Sequence, residues 1–64
     1  ESPLTQRETT VLREAARGHS AEDIASRLHL SAGTVRNYLT SAITKTGARN
    51  KIDAIRIAED AGWL

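Results

Sequence analysis

Apolar residues recur every three or four positions in four successive segments of the chain, which is the period of α-helices that each bury one face. This spacing and the residues that flank it predict helices over residues 4–17, 21–28, 32–46 and 51–61. No segment alternates apolar and polar residues as a half-buried strand would. We therefore predict an all-α fold in which four helices form a single domain over residues 1–64.

Residues that favour helix ends separate these segments. Thr5 and Glu8 match the capping-box pattern, so the regular part of the first helix should begin near Gln6. Gly18 and Gly47 follow the first and third segments, where glycine commonly ends a helix. The remaining candidates for N-cap residues are Ser20, Ser31 and Asn50. These end signals agree with the apolar period on the number of helices.

The second and third predicted helices are joined by a short turn, His29-Leu30-Ser31. The apolar spacing on either side of it is typical of a helix-turn-helix unit, and the small side chain of Ala25 allows the two helices to pack closely. Many such units have glycine where this chain has His29. Because histidine adopts the left-handed conformation more readily than most residues, we expect the turn to close. The pattern therefore predicts a helix-turn-helix at the centre of the domain.

The third predicted helix has distinct faces when successive residues are placed about 100° apart. Its inner face carries Val35, Leu39, Ala42 and Thr46. Its outer face carries Gly33, Arg36, Asn37, Thr40 and Thr44. One flank carries Thr34, Ser41 and Lys45. Such a helix can pack on the domain with one side and present hydrogen-bonding groups to a partner with the other.

The outer face has the residue types that read base edges in DNA. Arg36 can donate two hydrogen bonds to guanine, Asn37 can pair with adenine, and Thr40 can contact a thymine methyl group. Phosphates could be held by Ser31 at the start of the helix and by the flank residues Thr34, Ser41 and Lys45. Gly33 either lets a partner's backbone approach or is an ordinary surface glycine.

The distribution of charge is more informative than the net charge of +1. Residues 24–52 contain no aspartate or glutamate, and all the carboxylates lie in the flanks. The same window contains Arg27, Arg36, Lys45, Arg49 and Lys51. A basic window over the candidate reading helix fits a phosphate-binding surface, although charge alone also fits an ordinary solvated one.

Several other function classes find no support in the composition. The chain has no cysteine, and His19 and His29 have no partners at the spacing of zinc ligands. There is no set of residues for nucleophilic or acid–base catalysis, and the chain is short for an enclosed pocket. No apolar run is long enough to span a membrane. We therefore expect no catalytic residue, metal or cofactor, no membrane partner, and a cytoplasmic location.

Ordered motifs along the chain resemble the LuxR-type DNA-binding domain, the C-terminal effector domain of NarL/FixJ-type response regulators. They are LTQRETTVL (residues 4–12), GHSAEDIASRLHLSAGTVRNYL (residues 18–39), Lys45, and GARNK (residues 47–51) followed by Ala54. The variant with GTVRNYL, GARN and a terminal GWL is similar to the DesR-like subgroup. The resemblance covers nearly all of the chain.

The resemblance implies a four-helix domain that controls transcription and whose third helix enters the major groove of double-stranded DNA. Arg36, Asn37 and Thr40 would then face bases, while Thr34 and Lys45 would contact the DNA backbone together with Asn50 and Lys51. It also implies a homodimer on DNA through the last helix, where the candidate contacts are Asp53, Ile57 and Asp60. A phosphorylatable receiver domain would precede Glu1 in the full protein.

The chain departs from the family's usual residues at Tyr38, Ser41, Ala42 and Thr46. Thr46 stands at a core position of the third helix, where a large aliphatic residue is usual in the family. We therefore expect looser packing there and a domain of marginal stability.

One alternative function keeps the same fold. The domain could be a helix-turn-helix module that contacts RNA polymerase or another protein and binds no DNA, a reading that the acidic flanks and the apolar Ile57 support. RNA polymerase is also a possible partner of a DNA-bound regulator. A helix-turn-helix like that of sigma factors is a further relative, but the match over the full length favours the regulator domain.

Overall fold

The computed structural model describes all residues 1–64 and contains four helices and no strand. They are α1 (Gln6–Ala16), α2 (Ala21–Leu28), α3 (Ala32–Thr46) and α4 (Lys51–Asp60). The predicted all-α class is confirmed. The first and last predicted helices were too long, because Thr5 and Arg17 cap the ends of α1 and Ala61 caps the end of α4.

Side-chain caps fix the start of every helix. Thr5 and Glu8 form a complete capping box, in which each side chain accepts a hydrogen bond from the other residue's backbone N–H. Ser20, Ser31 and Asn50 each accept a hydrogen bond from the backbone N–H three residues later. Since the first-turn N–H groups of a helix lack acceptors within it, these caps position each helix where the sequence places a Ser, Thr or Asn.

Helix α3 lies at the centre of the domain and packs against each of the other three helices. Two clusters of buried apolar side chains lie along it. The first joins it to α1 and α2 and consists of Val11, Ala15, Ile24, Ala25 and Val35. The second joins it to α1 and α4 and consists of Leu12, Ala42, Ala54 and Ala58. Leu39 and Ile55 pack against both clusters, so the two are continuous.

The core is built largely from small side chains. Five of its nine buried apolar residues are alanines, which bring the helices close together but remove little apolar surface from water. The chain after α4 returns to cover the second cluster, where the backbone N–H of Trp63 donates to the carbonyl oxygen of Ala58 at 2.8 Å. Thr46 is half-buried, and its hydroxyl donates to the carbonyl oxygens of Ala42 and Ile43, so its polar atom is satisfied inside the domain.

The turn of the helix-turn-helix depends on His29. Its backbone is left-handed, with φ 59° and ψ 43°, and it is the only residue other than glycine with positive φ. The N–H of Leu30 then donates to the carbonyl oxygen of Ala25 at 2.8 Å, which closes the end of α2. The turn sets the direction in which α3 leaves α2 and thus which side of α3 faces outwards.

Candidate nucleic-acid interface

The outer side of α3 presents a row of three exposed polar side chains. Arg36, Asn37 and Thr40 are all exposed, while Val35 and Ala42 on the inner side are fully buried. The side chains of Asn37 and Thr40 make no hydrogen bond within the domain. Helix α4 packs on another side of α3, through the cluster that contains Ala42, and leaves the row open. The row therefore offers donors and acceptors to a partner.

The start of α3 is prepared to receive an anion. The Ser31 Oγ accepts a hydrogen bond from the Thr34 N–H at 3.0 Å and donates one to the Thr34 Oγ1 at 2.9 Å. The hydroxyl proton of Thr34 has no acceptor within the domain and is free to bind a phosphate oxygen. The first N–H groups of α3 point the same way, since a helix start leaves them without acceptors and carries a partial positive charge.

Gly33 lies in this first turn and is exposed. A Cβ built there would meet only the Ser31 Oγ, at 3.9 Å, so packing within the domain does not require glycine at this position. Glycine in a helix costs roughly 0.5–1 kcal/mol relative to alanine. The fold itself supplies no compensation for that cost.

Arg36 is not isolated on the outer face. Its Nη2 donates a hydrogen bond to the Glu22 carboxylate, which projects from the first turn of α2. The pair lies on the surface, because the Arg36 and Glu22 side chains are 58% and 66% exposed. The sequence reasoning missed it, since the two residues are 14 positions apart and only the angle between α2 and α3 brings them together.

Two predicted phosphate contacts have a different environment from the one expected. The Ser41 Oγ donates to the Glu8 Oε2 at 2.6 Å, and the Lys45 Nζ donates to the Glu8 Oε1 at 2.9 Å. A phosphate accepts hydrogen bonds, so Ser41 cannot donate to it while its proton is held by Glu8. The charge of Lys45 is balanced by the same carboxylate. In the free domain both residues attach α3 to α1, and their expected contacts with the DNA backbone stay a prediction.

Glu8 is a buried carboxylate with a complete set of partners. Only 5% of the residue is exposed. Burial acts to raise its pKa, but hydrogen bonds from Ser41, from the Thr5 N–H and from Lys45 outweigh burial and hold the pKa at about 2. The carboxylate is thus ionised at neutral pH and is used within the fold. The capping-box motif indicated its bond to Thr5 but gave no sign of its contacts with α3.

A second exposed polar region lies at the start of α4. The Asn50 Oδ1 caps the helix, which leaves its amide N–H groups without an acceptor in the domain. Lys51 is exposed and takes part in no ion pair. Arg49 precedes them with its side chain 84% exposed, and its Nε lies 3.5 Å from the Asp53 Oδ2. These residues can supply positive charge and donors to phosphates.

The predicted dimer contacts on α4 fall in different environments. Asp53 is 8% exposed and accepts hydrogen bonds from the Arg56 side chain and the Arg49 N–H, which together lower its pKa. Its carboxylate is used by these two arginines in the single chain, and its expected place in a dimer contact stays a prediction. Asp60 is exposed and paired with Arg56, and Ile57 is half-buried. The exposed large apolar residue of this helix is Ile52, at 76%, which the sequence reasoning overlooked.

Comparison with known proteins agrees with this architecture. A family model described as "Bacterial regulatory proteins, luxR family" matches residues 2–58. The chain belongs to the luxR family. It is 59% identical over 63 residues to the response regulator RamR of Streptomyces coelicolor, a match that covers 98% of this chain and 31% of that protein. Identity to DesR, a transcriptional regulatory protein of Bacillus subtilis, is 40%, over 98% of this chain and 32% of that protein.

The fold of this luxR-family chain is also found in a solved structure. The transcription factor GerE superposes with a TM-score of 0.91 at 34% identity, over 97% of this chain and 92% of that one. The resemblance to the LuxR-type family is thereby confirmed, and the chain is a helix-turn-helix domain of the kind carried by bacterial transcriptional regulators. It spans about a third of the length of RamR and DesR. None of its helices is long and apolar enough to cross a membrane.

Proposed function

We propose that this luxR-family domain binds double-stranded DNA in a sequence-specific manner, as the effector domain of a response regulator that controls transcription in the cytoplasm. The observation that carries the proposal is the open row of Arg36, Asn37 and Thr40 on a helix whose other sides are fixed in the core. A major groove about 12 Å wide admits such a helix. The similarity to response regulators supports the wider role.

Each exposed residue has a separate part in the proposed complex. Arg36 donates to a guanine, Asn37 pairs with an adenine, and Thr40 contacts a neighbouring base. Ser31, Thr34 and the first N–H groups of α3 hold one phosphate, and the absence of a side chain at Gly33 lets the DNA backbone come close. Asn50 and Lys51 hold a second phosphate, with Arg49 beside them. These phosphate contacts fix the register in which α3 lies.

We propose further that two copies bind DNA together through α4. Ile57 and Asp60, which lie three positions apart on one face of this helix, are the candidate contacts, and the exposed Ile52 lies at its start. Closed two-fold dimers are the commonest protein assemblies, and helix-turn-helix dimers bind half-sites about one helical turn apart. Contact with RNA polymerase would then be made from a DNA-bound dimer.

The decisive experiment compares binding to a duplex selected from a random pool with binding to unselected duplex. Arg36→Ala should weaken binding to the selected duplex by about 1–3 kcal/mol and relax the preference at one base pair, with a much smaller loss on random DNA. Arg13→Ala is the matched control, since Arg13 is an exposed arginine of α1 without an ion pair. Fluorescence anisotropy at a fixed salt concentration measures the affinities for both duplexes.

Equal losses on both duplexes would remove the base-reading role of Arg36. A chain that binds no duplex at low salt, yet is retained by RNA polymerase, would favour the alternative function of a protein-interaction module.

A further inference from the structure

Glu22 occupies an unusual place for a carboxylate. It lies on the proposed DNA-binding surface, in contact with the one side chain of the row that carries a positive charge. A carboxylate at that point repels phosphates, so it opposes binding to any duplex. Its presence there calls for a physical role that involves Arg36.

The Glu22 carboxylate is well held in the free domain. Its own backbone N–H and the Arg36 guanidinium lower its pKa, so it is ionised at neutral pH. The helix start of α2 favours a negative charge in its first turn. The contact uses the Arg36 Nη2, so approach to a guanine must displace it or share its donor. The pair is more than half exposed, which makes it weak enough to exchange.

We propose that Glu22 competes with DNA for Arg36 and thereby limits the affinity that the correct sequence gains from this arginine. While the pair is intact, the charge of Arg36 is cancelled, so this arginine adds nothing to the sequence-independent attraction between the domain and phosphates. A guanine at the right position offers two acceptors in the geometry that a guanidinium matches. Two hydrogen bonds to this guanine then replace the contact that Arg36 loses with Glu22. Arg36 therefore adds to affinity on the correct sequence, but its contribution there is reduced by the free energy of the ion pair that must be broken.

The proposal rests on the proposed DNA-binding function and assigns a new residue to it. Glu22→Gln removes the charge and keeps the size of the side chain. It should tighten binding to the selected duplex by about two- to fivefold, the range for an exposed ion pair that this complex must break, with a smaller gain on random duplex, where the pair can stay intact. The ratio of specific to random affinity should rise accordingly. The slope of log affinity against log salt on random duplex should steepen by about 0.9, because one more cation reaches the phosphates.

The matched control is Asp23→Asn. Asp23 is an exposed carboxylate in the same first turn of α2 and makes no contact with Arg36. Asp23→Asn therefore changes the net charge and the electrostatics of the helix start by the same amount as Glu22→Gln. It should raise affinity alike on both duplexes and leave their ratio unchanged. In an Arg36→Ala background, Glu22→Gln should also leave the ratio unchanged. Circular dichroism on each variant checks that the fold is retained.

Each other outcome overturns the proposal in a recognisable way. If Glu22→Gln and Asp23→Asn change both affinities equally, Glu22 is only a background charge. If Glu22→Gln weakens binding to the selected duplex alone, Glu22 orients Arg36 rather than competing for it. A wild-type chain that binds no duplex would contradict the proposed function itself, whereas wild-type selectivity with an unchanged ratio in Glu22→Gln would contradict this inference alone.

Discussion

At the scale of single residues, Glu8 shows how one carboxylate can connect two helices. It completes the capping box of α1 and accepts hydrogen bonds from Ser41 and Lys45 of α3. A buried carboxylate is costly unless it is fully partnered, and each of its oxygens has partners here. Removing a single partner would leave charge uncompensated in the interior.

The pKa of Glu8 makes the stability of the domain depend on pH. Because the folded-state pKa is about 2 and the ordinary value is 4.5, the unfolded chain takes up this proton first as the pH falls. The stabilisation, about 3 kcal/mol, should be complete above pH 4.5 and be lost between about pH 4.5 and pH 2. Urea unfolding followed by circular dichroism at a series of pH values measures it.

Glu8→Gln should lower the free energy of unfolding at neutral pH and flatten its dependence on pH in that window. Glu59→Gln is the control, because Glu59 is an exposed glutamate of α4 with no ion pair. A Glu8→Gln variant that lost stability on acidification as steeply as the wild type would show that other carboxylates are responsible.

The residues that sequence reasoning identified correctly are those whose partners are near in the chain. Thr5, Ser20, Ser31 and Asn50 have their capping partners three positions away. The contacts of Glu8 with Ser41 and Lys45 join positions 33 and 37 apart. Such contacts depend on how helices pack. The basic window therefore gave no sign that Lys45 pairs with Glu8 inside the domain.

At the scale of elements, α3 divides its polar residues between two tasks. Residues near its start and middle remain open to a partner, whereas the residues that face α1 near its end serve the fold. The amphipathic period separated the inner side from the outer side correctly, but it could not tell an open flank from one covered by α1. The helix-turn-helix was predictable from local signals, including the left-handed His29.

The division of α3 predicts opposite behaviour for two lysines. Lys51→Ala should weaken binding to all duplexes and flatten the salt slope by about 0.9, because an unpaired cation at the start of α4 is lost. Lys45→Ala should instead lower the free energy of unfolding and change the salt slope much less, because it leaves Glu8 with one partner fewer. Anisotropy titrations over a range of salt concentrations and urea unfolding separate the two effects. A Lys45→Ala slope as flat as that of Lys51→Ala would return Lys45 to the phosphate contacts.

At the scale of the whole molecule, a small core supports a large open surface. The domain measures 28 × 19 × 19 Å, and its central helix contacts every other element while keeping one side exposed. The apolar pattern was sufficient to predict four helices and one class of fold. It could not show that Arg49 and Arg56 cover Asp53 or that Ile52 is exposed, because both depend on side-chain contacts around the start of α4.

The outer side of α3 is the proposed DNA-binding surface, on which the roles of Arg36, Asn37 and Thr40 depend. Titration of the ¹⁵N-labelled chain with a selected duplex, followed by two-dimensional NMR, tests it residue by residue. We expect the largest amide shift changes at residues 32–37 and 40, with a second group at 50 and 51, and little change at Arg13 and Ala16 on the exposed side of α1. The largest changes on α1, with the row Arg36, Asn37 and Thr40 unaffected, would contradict it.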